Sequence, residues 1–248
     1  MADSEPDIAE LFAPLRPAQA SDVVLSEAHL VLGAVRAPVD AELWGSDMIG
    51  ALTRRAPGDG ADAMADVMAE LAASLVPAAE RDASPAALAL LRVLAAIGTP
   101  ELRTAAAEAA GRLTASGVPD PAWAAAIGSP TVGRCWHYGD IGGRQESITV
   151  SFGYGAAEHA LSVLVDHGKG GKIKDAWVDT AEGLLQKTWL AADNDPLVLF
   201  ELIDPAEARQ GLAQAVAAGE CPGKSDEADD LSAHRALLNA RIRYLATA

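Results

Sequence analysis

The sequence predicts an α+β protein: a helical N-terminal half, then an antiparallel β-meander, then helices that pack on the sheet. Three observations predict it. Up to residue 127, apolar residues recur at helical spacing between recognisable start and stop signals. Near residue 129 alanine thins out, while glycine, aromatic and β-branched residues rise. Beyond that point, alternating runs flank a glycine-rich turn. These place a helical bundle over 1–128 and an α+β domain with an antiparallel sheet over 129–248.

The helical half follows from its punctuation. Ser84-Pro85, Thr99-Pro100 and Asp120-Pro121 each set a capping side chain before a proline. The cap oxygen accepts an N–H of the first turn, and a proline at the first helical position loses no hydrogen bond because that N–H has no partner there. Gly98, Gly117 and Gly128 stand where a left-handed residue would close a helix. Between these marks, Met64, Val67, Met68, Leu71 and Leu75 form one buried stripe. Leu88, Leu91, Val93, Leu94 and Ile97 belong to a helix that is apolar nearly all round, the mark of a central bundle position. Helices are expected at 5–13, 26–36, 39–55, 60–76, 85–97, 100–116 and 121–127. No second copy of any segment recurs at a fixed period, so a compact bundle is a simpler reading than a repeat array.

The second half opens with a strand over 131–138. Ile148–Phe152 alternates as a half-buried strand does, and Leu161–Val165 is the most strand-like run in the chain. Gly168-Lys169-Gly170-Gly171 then turns the chain into a returning strand over 172–178. Asp179-Thr180-Ala181-Glu182 has the spacing of a capping box and opens a helix to about 192. A short strand at 197–203, a helix capped by Asp204 and ending near Gly219, an acidic loop at 220–230 and a helix at 231–245 complete the chain. Arg235, Arg241 and Arg243 sit in that last helix, where cations suit the helix dipole.

Composition excludes several functions. Half of the residues are hydrophobic and 22% are charged, a globular profile. The net charge is −16, carried by the two ends of the chain, while the stretch 128–178 is neutral. Such a surface repels phosphate backbones, so nucleic acid is not an expected partner. Two distant cysteines, Cys135 and Cys221, make neither a disulfide framework nor a metal-binding pair. The first ten residues lack the features of a signal peptide and no apolar run reaches membrane-spanning length, so the expected location is the cytoplasm, away from membranes.

The stretch Val165-Asp166-His167-Gly168-Lys169-Gly170-Gly171-Lys172-Ile173-Lys174-Asp175-Ala176-Trp177-Val178 resembles a segment of uncharacterised actinobacterial proteins. The resemblance extends to Asp204-Pro205-Ala206-Glu207-Ala208-Arg209 and the final helix, with a fainter echo at Ala41-Glu42-Leu43-Trp44. That group has no assigned activity, so the resemblance implies nothing about chemistry.

The candidate site is the polar cluster around the 168–171 turn. Alternation puts Ser162, Leu164 and Asp166 on one face of their strand, and His159, Leu161, Val163, Val165 and His167 on the other. With the tip at Lys169-Gly170, His167 faces Lys172, Asp166 faces Ile173, and Asp175 lies diagonally from Asp166. Asp140, Asp166 and Asp175, with His167 nearby, are then the candidate carboxylates for a divalent ion or an acid/base pair. The plainer alternative has them satisfying turn amides and pairing with lysines. The glycine runs at 139–143 and 168–171 lack the phosphate-loop pattern. Cys135 and His137 share a strand face, but no helix start or basic pocket marks a thiolate. The five tryptophans are read as anchors between the helical half and the sheet.

The reading favoured by the residues is a non-catalytic cytoplasmic interaction or regulatory protein with a protein partner and no cofactor. The alternatives are a metal-assisted hydrolase using Asp140, Asp166 and Asp175, and a small-ligand sensor with a pocket between the two halves.

Overall fold

A computed structural model describes residues 17–56, 60–221 and 225–245. The helix expected at 5–13 lies outside the described residues. The chain divides into two compact units, 1–128 and 129–248.

The described part of the first unit is helical. Helix α1 spans Pro17–Val31, α2 Pro38–Thr53 and α3 Gly60–Glu70. A single π-turn at Leu71–Leu75 carries α3 into α4, Val76–Asp82. Helices α5, Pro85–Ile97, and α6, Pro100–Ala115, follow. α5 is the hub: its leucines Leu88, Leu90, Leu91 and Leu94 are fully buried, and it packs against α1, α2, α4 and α6. The hydroxyl of Ser84 accepts the N–H of Ala87, and that of Thr99 accepts the N–H of Leu102, so both caps form.

Three local expectations need correction. The first described helix begins at Pro17 and ends at Val31, upstream of the 26–36 expected. Gly98 is not left-handed. It is needed because a Cβ there would stand 2.7 Å from the Leu94 carbonyl oxygen. Residues 121–127 form turns rather than a helix. The carboxylate of Asp120 does not cap: it receives the Arg92 guanidinium in two bonds of 2.8 and 2.9 Å, and this arginine holds it below the usual carboxylate range.

The second unit is built on one five-stranded antiparallel sheet in the order β4-β3-β2-β1-β5. Strands β1 (Thr131–Asp140), β2 (Gln145–Tyr154), β3 (Ala157–Asp166) and β4 (Lys172–Thr180) form the expected meander. Helix α7, Ala181–Asn194, then carries the chain from one edge of the sheet to the other, where β5, Val198–Ile203, pairs antiparallel with β1. Helices α8, Pro205–Ala218, and α9, Ser225–Tyr244, complete the unit. The last helix therefore begins within the stretch read as a loop.

Alternation sorts the two faces. Cys135, Ile148, Val150, Phe152, Leu161, Val163, Val165 and Ala176 make a core with Ala208, Leu212 and Ala215 of α8 and with Leu231 and Leu238 of α9. Gly211 of α8 lies so close to Ile148 that a Cβ there would meet its Cδ1 at 2.6 Å. The opposite face is smaller and more polar. Trp136 and Ala160 pack with Ala181 and Leu184 of α7, and beside them the buried hydroxyls of Thr149 and Ser162 bond each other at 2.8 Å. So helices cover both faces, where one covered face was expected.

Two start signals of this unit are read differently by the structure. Neither Thr180 nor Asp204 caps its helix through a side-chain bond. Asp179 instead accepts the N–H of Thr180 at 2.6 Å, so the capping box is not used. Among the described residues, no helix is long and apolar enough to cross a membrane.

Candidate functional site

The sheet has two edges, and they end differently. At β4 the outer flank is covered. The Ile173 N–H donates to the Gly219 carbonyl at 2.9 Å, and the Cys221 N–H donates to the Ile173 carbonyl at 2.7 Å. Glu220, the residue between them, is ion-paired with the nearly buried Arg235, whose pKa burial pulls down. An irregularity between Leu164 and Val165 inserts Lys174 into the ladder. A short parallel bridge, a bulge and lysines on the strand are the usual means of blunting an edge.

At β5 none of these devices is present among the described residues. The strand carries no lysine and no internal proline. Leucines of both its faces are exposed: Leu197, just before it, 60%, Leu199 49% and Leu202 61%. Trp189 and Leu190 of α7 are exposed beside them, and so is Ile141 at the end of β1. Six of the seven large hydrophobic side chains exposed among the described residues thus gather at this one edge; only Leu30 lies elsewhere. Contiguous exposed apolar surface is of the kind found at interaction sites, whereas scattered exposed apolar residues are ordinary. Between α7 and β5 runs a groove lined by Leu185, Trp189, Phe200 and Leu202, with Arg134, Glu182 and Gln186 at its polar rim. Arg134 makes no ion pair among the described residues.

The main chain of β5 is available in alternate residues. The Ile141 N–H donates to the Leu197 carbonyl at 2.9 Å, and the Val198 N–H turns away to Asp195. In an antiparallel ladder this parity directs the backbone groups of Leu197, Leu199, Glu201 and Ile203 at β1, and those of Phe200 and Leu202 outward.

The residues singled out from the sequence fall as follows. Asp140 and Asp166 line one shallow groove together with Arg144, Gln145, Gly168 and Lys169; Asp175 is not part of it. The Gln145 N–H donates to Asp140 Oδ2 at 3.0 Å, and the Arg144 N–H donates more weakly to Oδ1. These backbone donors, Gln145 first, hold the Asp140 carboxyl below its ordinary range. The Gln145 side chain donates to Asp166 Oδ2 at 3.0 Å. Asp175 accepts the N–H of Ala176 at 2.7 Å. Each carboxylate therefore has backbone or amide donors, and no group of three His, Cys, Asp or Glu residues stands ready for a metal among the described residues.

The hairpin register also differs from the expected one. Next to the turn Asp166 faces Lys172 and Val165 faces Ile173, one residue off the expected pairing, and the extra Lys174 then restores the expected register, with Leu164 opposite Asp175. Gly170 closes the turn at φ +85°.

His167 belongs to another cluster. Its Nε2 lies 2.9 Å from Glu146 Oε1, while Glu146 Oε2 lies 3.3 Å from His137 Nδ1. Glu201 Oε2 is 3.6 Å from the other ring nitrogen of His137. This carboxylate–imidazole chain ties β5, β1, β2 and the β3–β4 turn together at one end of the sheet. Cys135 is not part of this carboxylate–imidazole chain: it is buried, its thiol donates weakly to the Gly133 carbonyl at 4.0 Å, and burial, with a smaller contribution from Asp204, pushes its thiol up to about 11.

His159 is a core residue. Arg241, fully buried on α9, approaches its Nε2 at 3.0 Å and lies over the rings of Phe152, Tyr154 and Tyr244. Burial, and secondly the Arg241 charge, push the His159 pKa down to about 3, so the ring is neutral and can accept the guanidinium N–H. Of the five tryptophans, Trp44, Trp123 and Trp136 are buried, but Trp189 is 52% exposed and is no anchor.

The edge was missed in the sequence although it left a signal. Leu197-Val198-Leu199-Phe200-Glu201-Leu202-Ile203 is apolar on both faces, which reads as a central strand. Only the topology reveals that it lies at an edge. No family model, no curated protein and no solved structure matches the chain.

Proposed function

We propose that the protein is a non-catalytic interaction protein whose docking surface is the open β5 edge together with the α7 rim. The observation that carries this reading is the gathering of Ile141, Trp189, Leu190, Leu197, Leu199 and Leu202 at one unprotected edge. An extended polypeptide added beside β5 would take main-chain hydrogen bonds from Phe200 and Leu202. It would set alternate side chains into the groove below Trp189. The main chain would supply affinity and the groove would select side chains.

The test is selection from a library of displayed ten-residue peptides, with a Leu199→Lys/Leu202→Lys variant for counter-selection. Apolar, extended peptides are expected to be enriched on the wild-type chain. Their binding should slow hydrogen exchange at the Phe200 and Leu202 amides. Peptides that bind both proteins equally, with no protection in β5, would overturn the reading.

A further inference from the structure

We propose that the occupant of the β5 edge is a second copy of this chain, paired antiparallel across a twofold axis at Phe200. This rests on the reading of that edge as a docking surface and names its partner. The two sheets would join into one of ten strands.

Three arguments lead there. The first is parity. Phe200 and Leu202 present their main-chain groups outward, as the Ile141–Leu197 bond requires. A symmetric antiparallel pair can therefore be centred on residue 199, 200 or 201.

The second is charge and overlap. Centring on Glu201 would set two glutamates directly opposite each other on one face, a destabilising pair. Centring on Leu199 shortens the overlap of a strand that spans Val198–Ile203. Centring on Phe200 keeps the overlap and gives every side chain an acceptable neighbour. Phe200 meets Phe200, Val198 meets Leu202, and Leu199 meets Glu201, whose carboxylate can still reach water at the exposed surface. The same register sets Arg134, which follows the last β1–β5 pair at Cys135–Ile203, near the start of β5 in the other copy, two strand spacings or about 10 Å away. Arg134 makes no ion pair among the described residues of its own chain. In the paired dimer an extended guanidinium would be directed at the end of the other copy's strand that carries Asp193 and Asp195. A chain of net charge −16 resists self-association, and this pair of attractions lies where the resistance must be overcome.

The third is that the groove between α7 and β5 would be continued by its symmetry mate, burying Trp189 and Leu202 of both copies. The size of the contact sets the expected strength. A six-residue strand is about 20 Å long and the layers are about 20 Å deep, giving roughly 400 Å² per copy, below the range of stable interfaces and within that of weak, transient ones. The dimer should therefore be reversible.

Sedimentation equilibrium over roughly 10–500 μM spans the range expected of so small an interface. The mass should double with concentration, and Leu202→Lys should raise the midpoint at least about tenfold, since a charge on an edge blocks pairing. Register is read by cross-linking. Val198→Cys and Leu202→Cys chains, mixed and oxidised, should form a disulfide dimer, because opposed residues lie about 5.5 Å apart, within disulfide reach. Neither variant alone should cross-link, its two cysteines being about 14 Å apart. Native Cys135 and Cys221 are buried and do not compete.

A mass that doubles without mixed cross-linking overturns the pairing. A monomer at every concentration overturns the proposal too. If peptides still protect the Phe200 and Leu202 amides of that monomer, the edge remains a docking surface for another chain. If they do not, both readings fall.

Discussion

The two edges of the sheet solve the same problem in opposite ways. The β4 side is closed by a bridge from residues 219–221, by the Lys174 bulge and by α9, which inserts the fully buried Arg241. The β5 side has six exposed large hydrophobic side chains and an outward-facing main chain. An unprotected edge invites aggregation, and the same sheet carries the devices that would have prevented it. The difference therefore separates the flank that the molecule covers itself from the flank that we propose a partner covers.

The comparison breaks most readily on the closed side. Arg241→Ala removes a cation lying over three rings and deprives His159 of its donor. A loss of about 3–4 kcal/mol in urea unfolding is expected, the scale of deleting a large buried side chain or breaking a buried polar pair. A loss below about 1 kcal/mol would show that α9 does not hold this side.

Acid should find the same place. His159 titrates near 6.5 when unfolded and at about 3 in the fold. Its folded pKa is depressed, so the unfolded chain binds the proton first. The related stability is fully present above pH 6.5 and is lost as pH falls toward 3. The slope should approach 1.4 kcal/mol per pH unit. Chemical denaturation between pH 7 and 4.5 measures it. His159→Gln keeps an acceptor for Arg241 and should flatten that part of the profile; an unchanged slope would assign the acid sensitivity elsewhere.

The turn leading into β4 gives a smaller effect. Gly170→Val at φ +85° should cost about 1–2 kcal/mol, because a β-branched residue is strained at positive φ. Lys169→Ala, at the exposed tip, should cost less than about 0.5 kcal/mol. Equal shifts in Tm would contradict the turn geometry.

The smallest stability effect belongs to the open side. Leu199→Lys and Leu202→Lys each replace a side chain that is about half exposed or more, so unfolding free energies should stay within about 0.5 kcal/mol of the wild type. Values beyond about 2 kcal/mol for either would mean that β5 is interior, and the contrast between the edges would disappear.

What could be read from the sequence was local. Ser84-Pro85 and Thr99-Pro100 are complete signals within four residues, and both caps form. Alternation in Leu161–Val165 sorted the faces of β3 correctly because period two needs no knowledge of neighbours. The failures are non-local. Asp120 looks like a cap until Arg92, 28 positions earlier, takes its carboxylate. Arg241 looks like a dipole partner at a helix end until the fold sets it against Phe152 and His159. The 167–171 turn pairs Asp166 with Lys172 rather than Ile173, and Lys174 then enters the ladder as a bulge that restores the expected register. The weak carboxylate cluster was legible as residues, but Asp140 and Asp166 share a groove while Asp175 does not. An edge is a property of topology, and nothing in the pattern of β5 distinguishes it from a central strand.

The crossover through α7 also dictates the order of assembly. The three hairpins of the meander close over loops of a few residues, from Asp140 to Gln145, Tyr154 to Ala157 and Asp166 to Lys172. β5 instead finds β1 across roughly sixty positions of chain, and that separation carries a larger ordering cost and a slower search. During synthesis the outer flank of β1 stays bare until residue 203 has emerged. The final strand to dock is thus the one whose outer flank we propose as the docking surface, so that surface would be complete only once the sheet is.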